Sequence, residues 1–210
     1  MDGVLLDSNY VWRDLSARYL RSHGKEPEAN LRSILQPLSM EDTAAYLRSQ
    51  YQLLRTEKEI AQDMTDMIRE EYLFHVPPKA GIDKLLSLLK MSGVTMYVAS
   101  ATDRPLVEAA LQRTDLARYF KGIMTCAEAG ASKTSPLIYE KCLTRLRCDK
   151  QHCLVFEDSL HAIRTASSAG FRVAAVYDEG SAAVQDEIRS LSEYWIRSFE
   201  DWYEQIGEFN

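Results

Sequence analysis

Cys153-Leu154-Val155-Phe156-Glu157-Asp158-Ser159-Leu160 is the stretch that decides the fold. Its four leading apolar residues lack the alternation of a half-exposed strand, and they read as a strand covered on both faces. Two adjacent carboxylates close the run. A helix from Leu160 to Ala169 follows and ends at Gly170, and Val173 to Val176 forms the next apolar strand. Strand, helix, strand is the repeating unit of a parallel sheet with right-handed crossovers.

The same rhythm extends in both directions. Ile82, Leu85, Leu86 and Leu89 mark a helix stopped by Gly93, and Val94 to Ala99 reads as a strand. A helix from Arg104 to Arg113 comes next, then a short strand at Ile123 and Met124. Pro136 suits the first turn of a helix carrying Ile138, Cys142 and Leu146. Tyr194 to Ile196 reads as a further strand, and Trp195, Phe199, Trp202 and Tyr203 as a tail packed on the domain. The fold class expected is α/β, a three-layer, doubly wound parallel sheet, with chemistry at the carboxyl ends of the strands.

Residues 9–76 follow a different rule. Val11, Leu15 and Tyr19 share one face of a helix that stops at His23-Gly24. Ser39 to Asp42 and Thr56 to Glu59 have the form of capping boxes, and Ile60, Met64, Met67, Ile68 and Tyr72 make an apolar stripe. Pro77-Pro78 ends the helical pattern. The domains expected are therefore a core of 1–8 with 77–210 and a helical insert of 9–76.

Composition bounds the function. The chain has 210 residues, 46% apolar and 27% charged, as a soluble globular protein does. A net charge of −6 argues against nucleic acid as a partner, and no apolar run approaches a membrane span. Cys126, Cys142, Cys148 and Cys153 show no CxxC spacing and read as reduced thiols of a cytoplasmic protein.

Four elements carry chemistry. Glu157-Asp158 at a strand end supplies hard oxygen donors suited to Mg²⁺; capping of the next helix by Asp158 or Ser159 is the plainer reading. Lys133, in the loop Ala131-Ser132-Lys133-Thr134-Ser135-Pro136, can neutralise a phosphate oxygen or a carboxylate, unless it is simply solvated. Ser100 ends a strand where its hydroxyl and the following amides can hold phosphate oxygens, although serine is also ordinary turn chemistry. Asp2 and Asp7 bracket Gly3-Val4-Leu5-Leu6, where Gly3 permits a tight turn and Asp2 can act as a proton donor.

In this order the four elements resemble the haloacid dehalogenase superfamily of phosphohydrolases, in the branch with a helical cap after the first motif. Met1-Asp2-Gly3-Val4-Leu5-Leu6-Asp7-Ser8 matches the family's Asp-x-Asp-Gly-Val motif from its middle x onward. Ser100, Lys133 before Pro136, and Phe156 to Ile163 match the other three motifs. The resemblance implies a Mg²⁺-dependent hydrolase of small phosphate monoesters acting through an aspartyl phosphate. Asp2 would be the general acid and base, with its carbonyl on the metal. Asp158 would bind Mg²⁺ directly and Glu157 through water. Lys133, Ser100 and the amide of Ala101 would hold the phosphoryl group.

The nucleophilic Asp is expected one residue before Met1, on a central strand that this sequence does not contain, so the chain as given is expected to be inactive. A small phosphorylated metabolite is the expected partner and a monomer the expected state. The alternatives are a sugar phosphomutase of the β-phosphoglucomutase type and a non-catalytic metal-binding or interaction protein. Trp12, where the mutases carry a cap histidine, counts against the first. Tyr10, Trp12, Tyr46 and Arg48 are candidate substrate contacts of the insert.

Overall fold

The computed structural model describes residues 1–35 and 38–206, without the side chains of 203–206, so that of Tyr203 lies outside the described residues. Contacts divide the chain into two compact units, Ser8–His75 and Met1–Asp7 with Val76–Asn210.

The first unit is helical: α1 (Asn9–Arg13), α2 (Leu15–Ser22), α3 (Leu31–Leu35), α4 (Met40–Tyr51) and α5 (Glu57–Glu70), closed by a π-helical turn over Glu71–His75. The helix read through Val11, Leu15 and Tyr19 is broken at Asp14, yet all three residues stay buried. Thr56 and Glu59 complete their capping box, whereas Ser39 and Asp42 form only half of one. The shorter aspartate accepts from the Ser39 hydroxyl at 2.9 Å and offers nothing to its amide. Ile60, Met64 and Ile68 of α5 are buried, in line with the stripe. Glu71 is buried too, satisfied by an ion pair with Arg18 and by the Tyr10 hydroxyl, which donates to it at 2.8 Å. Among the candidate contacts, Tyr10 and Arg48 are thus engaged inside the unit, Arg48 with Glu57 at 3.2 Å, and Trp12 donates to the Tyr72 hydroxyl at 2.9 Å.

The second unit runs α6 (Ile82–Met91), β1 (Met96–Ser100), α7 (Arg104–Arg113), β2 (Phe120–Thr125), α8 (Cys126–Ala129), α9 (Leu137–Leu146), β3 (Leu154–Glu157), α10 (Leu160–Ser168), β4 (Arg172–Val176), α11 (Gln185–Ser190), β5 (Tyr194–Ile196) and α12 (Phe199–Ile206). The strand pairings are parallel. Ile138, Tyr139, Ile163, Ala166, Phe171 and Val173 form a core between the helices and β4. All four cysteines are free, and burial pushes the Cys142 thiol up to about 12 and that of Cys153 to about 11. Among the described residues no helix is long and apolar enough to cross a membrane.

One sheet was expected; the strands form two pieces, β1–β2 and β3–β4–β5. Between β1 and β3 lies an apolar slot of about 380 Å³, lined by Leu5, Leu86, Val98, Cys142, Val155 and Phe156 among others. A cavity of about 150 Å³ already holds benzene, so this space exceeds a packing flaw.

Residues Met1–Asp7 reach the end of this slot. Gly3 takes φ +65°, which folds the chain back on itself. The Leu5 and Leu6 amides return to the Met1 carbonyl, at 2.7 and 3.3 Å, while Lys79 donates to Leu5 O and Asp7 to Pro77 O, each at 2.9 Å. The Met1 ammonium is thereby buried, 3.5 Å from the Ala99 carbonyl.

Candidate active site

The carboxyl ends of β1 and β3 bring the acids, the lysine and the serine toward Met1. Ser100 closes β1 and is 1% exposed. Its Oγ accepts the Thr102 amide at 3.1 Å, which leaves the hydroxyl proton for another acceptor. Thr102 in turn donates through Oγ1 to Asp2 Oδ2 at 2.8 Å. Ser100 and Asp2 are therefore joined through one buried threonine, and Ala101 lies exposed between Ser100 and Thr102.

Lys133 is held by local structure before any long-range contact. Thr125 and Glu128 form a complete capping box that starts α8, Gly130 ends it at φ +76°, and the chain reaches Lys133 three residues later. The lysine ion-pairs with Glu157 at the end of β3, and the Tyr139 hydroxyl, from the first turn of α9, donates to the same Glu157 Oε1 at 3.0 Å. Burial alone would push the Glu157 carboxyl up; Lys133, the Met1 ammonium and the Tyr139 hydroxyl outweigh it and hold the group below its ordinary value. Burial would likewise lower Lys133, but Glu157, Asp158 and Asp2 keep its ammonium above the usual range. Both partners are thus ionised, as the geometry of a buried, doubly donated carboxylate requires.

Asp158 is half-buried, and its carbonyl accepts the Ser181 hydroxyl at 3.3 Å. Ser159 makes no side-chain bond to the helix it precedes, which removes one half of the capping alternative. Asp2, Glu157 and Asp158 all act electrostatically on Lys133 and on the Met1 ammonium. Burial and Lys133 lower that ammonium's pKa, while the three acids oppose them.

As a metal site the donor set is sparse but of the right kind. Among the described residues no three His, Cys, Asp or Glu side chains gather into a cage. Mg²⁺ characteristically takes one or two carboxylates and completes its shell with water and substrate phosphate. Asp158 and the backbone of Asp2 are oxygen donors of that kind, whereas Glu157 has one oxygen committed to Lys133 and Tyr139. Thr102 and Tyr139 escaped the reading of the sequence. Each acts through a partner 100 or 18 residues away, and neither distance leaves a local signature.

The Deinococcus radiodurans R1 hydrolase crystallised with bound phosphate and sodium superposes with a TM-score of 0.76 at 18% identity, covering 99% of this chain and 93% of that one. CbbY of Rhodobacter sphaeroides in complex with phosphate gives 0.67 at 20% identity over 95% and 92%. In sequence, a phosphorylated carbohydrates phosphatase of Thermotoga maritima is 25% identical over 81% of this chain and 79% of its own length. A bifunctional riboflavin kinase/FMN phosphatase of Arabidopsis thaliana is 24% identical over 97% of this chain; the match spans just over half of that relative, 56%. The pattern of the haloacid dehalogenase-like hydrolases matches residues 1–176, a span that includes Asp2, Ser100, Lys133 and Asp158, and the chain belongs to that family.

Proposed function

We propose that this protein is a Mg²⁺-dependent phosphatase of small phosphate monoesters, phosphorylated sugars foremost, working through an aspartyl phosphate. The observation that carries the reading is the junction at the ends of β1 and β3, where Asp2, Ser100 and the Lys133–Glu157 pair meet beside Asp158. A carboxylate one residue ahead of Met1, on a strand filling the slot, would be the nucleophile. The helical unit Ser8–His75 would serve as the cap.

In this reading the nucleophile attacks phosphorus while Asp2 protonates the leaving oxygen. Asp2 then takes a proton from the water that hydrolyses the acyl phosphate. The Thr102 hydroxyl fixes Asp2 for both transfers. Lys133 offsets negative charge on the nucleophile and phosphoryl group, and Ser100 Oγ with the Ala101 amide holds its oxygens. Asp158 and the Asp2 carbonyl would hold Mg²⁺, which when bound draws charge from the phosphoryl oxygens and lets a dianion approach the acids. The phosphomutase reading is weaker because Trp12 occupies the position of the mutases' cap histidine.

The test is hydrolysis of p-nitrophenyl phosphate with Mg²⁺ by three proteins: the chain as given, the chain extended by an apolar strand ending in Asp, and that extension with Asp changed to Asn. Activity in the second alone is expected. Equal activity in the first would put the nucleophile elsewhere and overturn the role given to Asp2.

A further inference from the structure

We propose that Arg104 is a positioning residue for the phosphoryl group: by gripping Glu128 it holds the loop of Ser100 and Ala101 at a fixed separation from the loop of Lys133. The role rests on the phosphatase reading, since it concerns the two loops to which that reading gives the phosphoryl oxygens.

The loops leave neighbouring strands. β1 and β2 are paired up to Ser100 and Thr125, where the ladder ends. From β1 the chain runs through Ala101 and Thr102 into α7, whose first residue is Arg104. From β2 it runs through the single turn of α8, past Gly130, to Lys133. Ladder hydrogen bonds fix the strands, and whatever lies beyond them needs another tie.

Each loop is first held on its own side. The Thr102 amide donates to Ser100 Oγ at 3.1 Å. The Thr125 amide donates to Glu128 Oε2 at 2.9 Å and the Glu128 amide to Thr125 Oγ1 at 3.3 Å, which fastens α8 to the end of β2. The Lys133 amide donates to the sulfur of Cys126, the first residue of the same turn. Glu128 therefore moves with Lys133, and Arg104 with Ser100.

Arg104 joins the two bodies. Its Nε and Nη2 donate to the two carboxylate oxygens of Glu128, the second at 2.8 Å, as a planar fork on a planar acceptor. Nη2 also donates to the Ile123 carbonyl at 2.9 Å, and Nη1 to Glu108 Oε1 at 3.0 Å. All three guanidinium nitrogens are thus engaged, on α7, β2 and α8, an arrangement that the point charge of a lysine cannot reproduce. Arg104 and the Thr125 amide hold the Glu128 carboxyl at about 2, so the pair is ionised at neutral pH. The two side chains are 37% and 38% exposed, and an ion pair so wet adds little to net stability. Its effect is on geometry. A misplacement of about 1 Å at a reacting group can cost ~100-fold in rate.

The test compares Arg104→Met, Glu128→Gln and the double variant; glutamine keeps the capping box of α8. In the extended chain, with p-nitrophenyl phosphate and Mg²⁺, each single variant should lower kcat by about 10–100-fold and move KM by less than about threefold, because the grip counts most as charge builds on the transferring oxygens. The double variant should be no worse than either single one, as expected of two residues that act as a unit. In the chain as given, Arg104→Met should quicken amide hydrogen exchange at Thr102 and Lys133 while β3 to β5 and the urea midpoint stay unchanged. Turnover and exchange that ignore the substitutions overturn the clamp and leave the phosphatase reading standing. Quicker exchange throughout with a lower midpoint, or losses that add in the double variant, overturn it as well, by making the pair a brace of the fold. An extended parent without activity overturns the phosphatase reading and this role with it.

Discussion

β3 and β4 lie side by side in register, Leu154 against Arg172 through Glu157 against Ala175, and both are short apolar runs. Their surroundings differ. Val173, Ala174, Ala175 and Val176 of β4 are all buried, whereas Leu154, Val155 and Phe156 of β3 are only half-buried. β4 has a paired strand on each side; β3 has one on one side and the slot on the other. An apolar run therefore records the environment its strand is built for, and burial depends on whether the neighbours are in place.

The largest test of this contrast is to fill the slot. A chain extended by an apolar strand should gain roughly 1.5–3 kcal/mol of unfolding free energy for each large apolar side chain it buries there, read as a higher urea midpoint with a larger m-value. An unchanged midpoint would show that β3 needs no further neighbour.

Next comes the pair that closes β3. Lys133→Met leaves Glu157 buried and unpaired and should cost about 3–5 kcal/mol, whereas the double variant Lys133→Met, Glu157→Leu should recover most of the loss. The sign of its pH dependence follows. Glu157 has a depressed folded pKa, so its contribution is present above the ordinary glutamate value of about 4.3 and disappears as pH falls through the folded one. Lys133 is raised, so its share is present below about 10.4 and is lost as pH climbs through the folded value. Glu157→Gln should flatten the acid limb of a stability–pH curve, and an unaltered limb would mean that other carboxylates dominate it.

The smallest effect compares the strands directly. Ala174→Leu in the filled environment of β4 should cost about 1–3 kcal/mol by overpacking, while Leu154→Phe beside the slot should stay within about 0.5 kcal/mol of the parent. Equal penalties at the two sites in thermal melts would erase the distinction.

The core's elements were readable where periodicity was long and its ends were punctuated. Arg104–Arg113 and Tyr194–Ile196 have the bounds the sequence indicates. β1 starts at Met96 rather than Val94, because Val94 is 46% exposed just after the left-handed turn at Gly93. The short helix Cys126–Ala129 and the π turn Glu71–His75 are shorter than the window any hydrophobic period needs. In the candidate site, Ser100 and Glu157-Asp158 stood out as polar residues closing apolar runs, and Lys133 as a lysine in the loop before Pro136. The Thr102–Asp2 and Tyr139–Glu157 bonds were not, since they exist only once the chain has folded. The split of the strands into two pieces was not legible, since the apolar runs of β1 and β3 give no sign of whether the two will pair with each other.

The cysteines decide how the folded protein can be labelled. Burial pushes the Cys142 thiol up to about 12 and that of Cys153 to about 11, so neither is a thiolate at neutral pH. A maleimide dye meets these two as inert apolar side chains until the fold opens. Their rate of labelling is thus a clock for unfolding and carries no information about surface chemistry.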